Sequence, residues 1–318
     1  MITIVALAGL GLLALPSVLR RLGRCLRPRR WSALCAVALA GGTALVLAAG
    51  VLSSLSTVLE AVGLPRAARA CSVMFGHLLP GGSPGALAGL AVTLSMLTLG
   101  ACALLRSRQT ARRSWVQAGV GARLGRGAPF ETVVLDSAHP QALSVPGTLG
   151  RQGQVLLTTG LLQALSADEI DVVCAHEEAH LRLAHHRYLA LATVIEGAMW
   201  CWPPTRASAR ALRLALERWA DETATSQGEG ARARLASALL TVAAEGEHPL
   251  LAAFSALDGL FERLSAMSTP AGVAVRPIWW PVLLVPGLLL GTAGLYALSR
   301  LGHSAYCLLT MPGGCHLG

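Results

Sequence analysis

The sequence has little charge: only 14% of its 318 residues are charged, whereas 53% are hydrophobic. The mean hydropathy of the chain is +0.56. A typical soluble globular domain carries about 25% charged residues and fewer apolar ones. The shortage of charge therefore excludes an ordinary soluble globule and indicates a chain that lies largely in a membrane.

Four apolar runs are uninterrupted by charge, near residues 2–19, 33–55, 85–105 and 279–299. A helix needs about 20 such residues to cross a hydrocarbon core of about 30 Å. The first run has no basic residue ahead of it, which argues against a signal peptide. A pore or ion pathway usually needs ionisable groups inside its spans, and these runs have no charged residue. We predict a mainly α-helical, polytopic membrane protein with four transmembrane helices.

Arginines mark the predicted cytoplasmic ends of these spans. Six of them lie in the segment 20–30, after the first run, and four more lie at 106–113, after the third. Because basic residues concentrate in cytoplasmic loops, we predict both termini outside the cell and residues 106–278 in the cytoplasm. The formal net charge of +9 is then explained by anchoring and by contact with anionic lipid headgroups. No direct nucleic-acid binding is expected.

The chain divides into three predicted parts. Residues 1–105 hold three transmembrane helices, residues 106–278 form a cytoplasmic domain, and residues 279–318 hold the fourth span with a short external tail. The middle part contains most of the acidic residues and histidines, so we expect the chemistry to lie there.

Local patterns give this cytoplasmic domain mixed α and β structure. Residues with high β propensity predict strands in ETVVLDS and GQVLLTTG, with a turn-rich link between them. Ser166, with Glu169 three residues later, predicts a capping box that opens a helix through His186. A double proline at 203 and 204 interrupts the helical pattern. Three further helices are predicted at about 208–228, 229–245 and 249–267.

The eight cysteines show no CxxC spacing, which excludes a zinc ribbon and a recognisable disulfide framework. Cys307 and Cys315 fall in the predicted external tail, where oxidation is permitted, and can pair with each other or with Cys71. Cys174 and Cys201 are expected to stay reduced.

The segment HEEAH is the HExxH pattern of zinc peptidases. His176 and His180 are one helical turn apart, so both imidazoles can reach a single zinc ion. Glu177, offset by about 100° around the helix, is placed to act as general base toward the attacking water. Because the HExxH pattern also arises by chance, a third ligand is needed to decide whether it marks a zinc site.

Two candidates exist for that third ligand. His186 occupies the last position of an HExxHxxGxxH arrangement, but Leu183 stands where that arrangement needs glycine. A helix that continued would carry His186 about 9 Å along its axis beyond His180. In the next helix, Glu217 can supply a carboxylate ligand, and Asp221, four residues on, can accept the free N–H of a ligating imidazole. We therefore predict Glu217 as the third ligand.

The ordered segments LDSAHPQALSVPG, GQVLLTTGLLQALSADEIDVVCAHEEAH and ERWAD resemble the membrane zinc peptidases that include HtpX and the CAAX prenyl proteases. Three spans before the domain and one after it are most similar to the BlaR/MecR sensor-transducer branch. The resemblance implies a gluzincin-type domain in which His176, His180 and Glu217 bind Zn²⁺ and Glu177 is the base. It also implies that Arg263, in FERLSAM, helps to position substrate.

The resemblance favours an integral-membrane zinc endopeptidase of the cell membrane that acts in signal transduction. Its partners would be the lipid bilayer and a cytoplasmic protein substrate, by resemblance a repressor of the BlaI/MecI kind. The external tail contains no SxxK sequence, so no fused penicillin-binding sensor is indicated. Two alternatives stay open: membrane-protein quality control of the HtpX kind, and a non-catalytic signalling scaffold with a structural zinc site.

Overall fold

The structure, a computed structural model, describes residues 2–75, 83–124, 130–147, 152–228, 230–245 and 250–268. These residues form a mainly helical protein with one small sheet. The helices are α1 (Ile2–Val18), α2 (Arg20–Cys25), α3 (Pro28–Ala61), α4 (Pro65–Phe75), α5 (Ser83–Val120), α6 (Thr159–Ala164), α7 (Ala167–Arg182), α8 (His185–Ala198), α9 (Pro203–Ala224), α10 (Ala231–Glu245) and α11 (Leu250–Ser268). The predicted fourth span near 279–299 and the tail with Cys307 and Cys315 lie outside the described residues.

Two of the described helices are long and apolar enough to cross a membrane, judged by length and composition. They are Pro28–Ala61 and Gly85–Arg113, which contain the second and third predicted spans. The first predicted span is a helix as well, but at 17 residues it is shorter. These helices fit a membrane protein, whereas the number of spans and their orientation stay predictions.

The described residues form two compact units. One comprises residues 2–7, 45–75 and 83–94; the other comprises residues 8–44 and the described residues from 95 to 268. In the first unit, α3 and α5 pack closely at Gly50 and Gly89. A Cβ atom at Gly89 would lie 1.8 Å from Oγ of Ser53 and 2.9 Å from the Gly50 carbonyl oxygen. Only glycine permits this approach, a common device of membrane helices.

The second unit contains a four-stranded sheet made of β1 (Ala122–Leu124), β2 (Glu131–Leu135), β3 (Ala142–Val145) and β4 (Gln154–Thr158). Its strand order is β1-β2-β4-β3, in which β2 and β4 are parallel and the other pairs are antiparallel. The predicted strands correspond to β2 and β4. β3 partly overlaps the stretch predicted as a turn-rich link. One face of β4 packs on α6, α7 and α10 through buried side chains that include Val155, Leu157, Leu161 and Ile170.

Helix α7 begins where the capping box predicted it. The backbone N–H of Ser166 donates to Oε2 of Glu169 at 2.9 Å, and the Ser166 side chain caps the first turn. The prediction of an uninterrupted helix through His186 is wrong. Helix α7 ends at Arg182, and Ala184 adopts a left-handed conformation with φ of 53° before α8 begins. This residue turns the chain without the glycine that the sequence argument required.

The arginine-rich segment after α1 contacts α9 and α11. Side chains of Arg20 and Arg24 pair with Glu262, Arg20 at 2.9 Å. Arg218 donates to the carbonyl oxygens of Gly23 and Arg24 at 3.2 and 3.3 Å. Some of the arginines attributed to lipid anchoring therefore also tie α2 to the helices that follow the HExxH segment.

Candidate metal centre

Helices α7 and α9 bring three potential metal ligands to one point. His176 and His180 project from α7, and their Nε2 atoms are 3.2 Å apart. Oε2 of Glu217, on α9, lies 3.5 Å from Nε2 of His176, and Oε1 lies 3.6 Å from Nε2 of His180. The three residues form a group of potential ligand atoms that lie within 4.8 Å of one another.

These separations fit a tetrahedral ion. Zinc bonds to imidazole nitrogen and carboxylate oxygen are about 2.0–2.2 Å long, so neighbouring ligand atoms around the ion are about 3.3–3.6 Å apart. The nearest separations between the residues, 3.2 Å for the two imidazoles, 3.5 Å from His176 to Oε2 of Glu217 and 3.6 Å from His180 to its Oε1, lie at or close to this range. Two histidines and one carboxylate leave a fourth tetrahedral position for water or substrate. The residues of the cluster therefore fit a metal ion of this kind.

Asp221 fixes the orientation of the first imidazole. Its Oδ1 lies 3.0 Å from Nδ1 of His176 and can accept a hydrogen bond from Nδ1–H, which leaves Nε2 directed at the cluster. Asp221 is 4% exposed although it is a carboxylate. Burial opposes the ionised form of Asp221, but hydrogen bonds with His176 and Arg263, together with their charges, hold its pKa below the ordinary value.

Arg263 contacts both acidic residues of α9. It donates from Nε and Nη2 to the two oxygens of Asp221 at 2.8 and 2.7 Å. Its Nη1 also lies 3.2 Å from Oε2 of Glu217. The Arg263 side chain is only 15% exposed, and its observed contacts are with these two carboxylates. Its predicted role in positioning substrate stays a prediction, and its observed geometry positions the acidic groups themselves.

His185 holds the second imidazole in a comparable way. It is completely buried, and its Nδ1 lies 3.1 Å from Nδ1 of His180. Burial, followed by the charge of His180, lowers the pKa of His185 to about 4, so this ring is neutral near pH 7 and its Nδ1 can accept a hydrogen bond from Nδ1–H of His180. The His185 ring also packs 5.0 Å from the ring of Trp219 on α9.

The next residue, His186, is exposed and does not join the group of ligand atoms found among the described residues. The turn at Ala184 thus directs the first histidine of α8 inward and the second outward. The sequence analysis did not predict the contact of His185 with His180. The signal was the pair of adjacent histidines, but choosing between them required the backbone conformation of Ala184.

The electrostatics of the cluster keep its carboxylates ionised. Burial favours the neutral form of Glu217, but its hydrogen bond with His176 and the nearby charge of Arg263 lower its pKa. Burial also disfavours protonated His176, yet hydrogen bonds and charges from Asp221 and Glu217 outweigh burial and raise its pKa to about 10. Metal binding to this site must displace protons from imidazole.

Glu177 lies beside the cluster and is partly exposed. Its charge acts on His180 and on Arg263, two residues at the cluster. The neighbouring Glu178 instead pairs with Arg182 at 2.5 Å, one turn along the helix. Of these two consecutive glutamates, Glu178 is engaged by Arg182, so Glu177 is the candidate for exchanging a proton with a molecule at the cluster.

Comparison with protein families identifies a relationship over the same region. Residues 137–267 match the family described as BlaR1 peptidase M56. This stretch contains α7, α9 and the part of α11 that carries Arg263. The resemblance to the BlaR/MecR-type membrane metallopeptidases is therefore confirmed over this stretch, and the match indicates a membrane-associated metallopeptidase. No solved structure matches the chain.

Proposed function

Because residues 137–267 match a family of membrane metallopeptidases, we propose that this protein is an integral-membrane zinc endopeptidase. The observation that carries the proposal is the cluster of His176, His180 and Glu217, whose potential ligand atoms lie within 4.8 Å of one another. Asp221 supports the cluster by fixing His176. A structural zinc site is usually closed by four protein ligands, whereas three ligands with Glu177 next to one of them in the sequence favour catalysis.

A bound Zn²⁺ would supply Lewis acidity at the fourth position, polarising a peptide carbonyl and lowering the pKa of water. The residues of the chain supply the remaining steps. Glu177 accepts a proton from the attacking water and later returns it to the leaving amine nitrogen. Asp221 and His185 keep the Nε2 atoms of the two ligating imidazoles directed at one point. Arg263 balances the two carboxylates of α9, so both can stay ionised in a buried site.

The proposed substrate is a cytoplasmic protein, and we favour a transcriptional repressor of the BlaI/MecI kind within a signalling pathway. Two lines support this: the BlaR1 peptidase family match and the concentration of arginines at 20–30 and 106–113. With four spans, this arginine bias would place residues 106–278 on the cytoplasmic side, where the active site can meet such a protein.

A comparison of Glu177→Gln with Glu178→Gln tests the chemistry. The purified full-length protein should contain about one zinc ion per chain by elemental analysis, and both variants should retain it. Hydrolysis of fluorescein-labelled casein should fall about 10²- to 10⁴-fold in Glu177→Gln, because an amide cannot accept the proton. Glu178→Gln, which loses only an exposed pair with Arg182, should cleave at close to the original rate.

The outcomes separate the competing interpretations. Equal cleavage by Glu177→Gln and the unaltered protein would show that Glu177 is not the base. Zinc bound at full occupancy without cleavage of casein or of a co-expressed repressor would favour a signalling scaffold.

A further inference from the structure

We propose that the turn between α8 and α9, residues 199–202, lies at the cytoplasmic surface of the bilayer and contacts anionic lipid headgroups. This surface belongs to the peptidase domain itself and is not part of a predicted span. The inference rests on the proposed membrane placement of α5. It is carried by helix packing, by exposed aromatic residues and by the charge of the first turns of α9.

The packing of α8 against α5 indicates how deep the turn lies relative to the membrane. A Cβ atom at Gly197 would lie 2.6 Å from Cβ of Ala103 and 3.1 Å from the Leu99 carbonyl oxygen. Gly100 likewise faces Ala198 on α8, at 3.5 Å for an added Cβ. The last turn of α8 is therefore in direct contact with a helix long and apolar enough to cross a membrane.

The contact occurs within the apolar run of α5. Gly100 precedes Arg106, the first arginine after that run, by six residues. At 1.5 Å per residue, the contact lies about 9 Å along the helix from Arg106, on the apolar side. A second contact agrees with this level: the backbone N–H of Ser17, near the end of α1, donates to Oγ of Ser208 on α9 at 3.2 Å. The turn between the contacted segments should lie close to the same boundary.

The side chains of the turn suit an interface between water and lipid. Trp200 is 58% exposed, an unusual state for a large aromatic residue in a soluble domain. Cys201 is also exposed, and Trp202 is partly exposed. Tryptophan concentrates at membrane interfaces, where its ring contacts acyl chains and its N–H reaches polar groups.

The charges near the turn are basic or paired. No acidic residue occurs between Glu196 and Glu217, whereas Arg206 and Arg210 are exposed on the first turns of α9. Glu196 itself is neutralised by a two-point contact with Arg213, one arm of which is 3.0 Å long. An exposed basic face beside exposed tryptophan is complementary to anionic phospholipid headgroups.

This placement constrains where cleavage occurs. Helix α8 runs from His185, which contacts the metal cluster, to Ala198, at the turn. At 1.5 Å per residue, these ends are about 20 Å apart. The potential ligands would therefore lie within about one helix length of the bilayer surface, and a substrate would be cut close to the membrane.

Single-cysteine variants of the full chain test the position of the turn. A nitroxide label would be placed on Cys201, on Cys102 of α5 or on Asp168→Cys at the start of α7, all exposed positions, in nanodiscs. Paramagnetic accessibility compares oxygen, which partitions into lipid, with a water-soluble nickel complex. Cys102 should favour oxygen and Asp168→Cys the nickel complex, with Cys201 between them and closer to Cys102.

Each outcome is decisive. A Cys201 label as open to the nickel complex as the Asp168→Cys label would overturn the proposal. So would a Cys201 label closed to both reagents, because the turn would then be covered by protein, such as a second copy of the chain. If the Cys102 label is itself exposed to water, the proposed membrane placement of α5 is wrong. This outcome is distinguishable from one in which only the proposed position of the turn is wrong.

A lipid comparison tests the headgroup contact. In nanodiscs of phosphatidylcholine mixed with phosphatidylglycerol, the Cys201 label should move toward lipid relative to pure phosphatidylcholine. Arg206→Gln with Arg210→Gln should abolish this difference, whereas Arg232→Gln on α10 should leave it unchanged. A shift that survives the double substitution, or no shift at all with the original arginines, would overturn the role assigned to anionic headgroups.

Discussion

The chain turns at both ends of α8, but the two turns have different physical causes. At the first end, Ala184 adopts a left-handed conformation, and the next residue, His185, is completely buried against His180. At the other end, the double proline at 203 and 204 opens α9, and Trp200 remains largely exposed. One turn is held by tertiary contacts with a polar cluster. The other turn follows from the two adjacent prolines of the local sequence, and it leaves the side chain of Trp200 exposed to an external surface.

The prediction with the largest expected effect compares substitutions of two glutamates, one near each end of α8. Glu217 lies at the metal-facing end of the α8–α9 pair and Glu196 at the other, and each contacts an arginine. Glu217→Ala removes a ligand, so the protein should lose zinc affinity by more than about 100-fold and become inactive. Glu196→Ala breaks a partly exposed ion pair and should cost about 0–1 kcal/mol of stability while the zinc stays bound.

Zinc content by elemental analysis and affinity by chelator competition distinguish the two variants. A Glu217→Ala protein that still carries stoichiometric zinc would remove Glu217 from the ligand set. If His186→Ala were at the same time zinc-free, the third ligand would be histidine and the gluzincin assignment would be wrong.

Adjacent histidines at the first end provide a finer test. His185→Ala removes the acceptor for Nδ1–H of His180, and partners of ligating imidazoles are typically worth 10- to 100-fold in metal affinity. We expect a loss of that size for His185→Ala and almost none for the exposed His186→Ala. The absorption spectrum of bound Co²⁺, which reports ligand geometry, should change only in His185→Ala.

A rescue experiment separates positioning from packing. His185→Asn offers a side-chain oxygen near the place of the lost Nδ1 and should recover part of the affinity and the Co²⁺ spectrum. If asparagine and alanine behave alike at this position, His185 contributes packing against Trp219 rather than orientation of His180.

Sequence reasoning located the elements whose signals are local. The capping box of Ser166 and Glu169 fixed the start of α7, and the double proline marked a break that the structure uses to begin α9. Helices α10 and α11 lie within two residues of their predicted bounds. The i, i+4 spacing of His176 and His180 was sufficient to predict that both imidazoles face one point.

Features that depend on contacts between residues far apart in the sequence could not be predicted from local patterns. Alanine is a strong helix former, so nothing in the sequence around Ala184 predicts a left-handed residue there. The short strand β3 partly overlaps a stretch rich in turn residues, and its pairing with β4 decides its conformation. Arg263 reaches Asp221 from a helix 42 residues later in the chain, a contact that spacing alone cannot predict.

The smallest effect concerns the backbone at the first end of α8. Alanine in the left-handed region is strained by about 1 kcal/mol or more, whereas glycine adopts it freely at an entropic cost of about 0.5–1 kcal/mol in the unfolded chain. Ala184→Gly should therefore raise the free energy of unfolding slightly, by up to about 1 kcal/mol. The same substitution at Ala233, an exposed position of α10, should lower it by about 0.5–1 kcal/mol. Unfolding midpoints measured by tryptophan fluorescence in detergent should thus shift in opposite directions. Two shifts of the same sign would mean that the turn at Ala184 is not left-handed in the folded protein, and the inward placement of His185 would lose its backbone explanation.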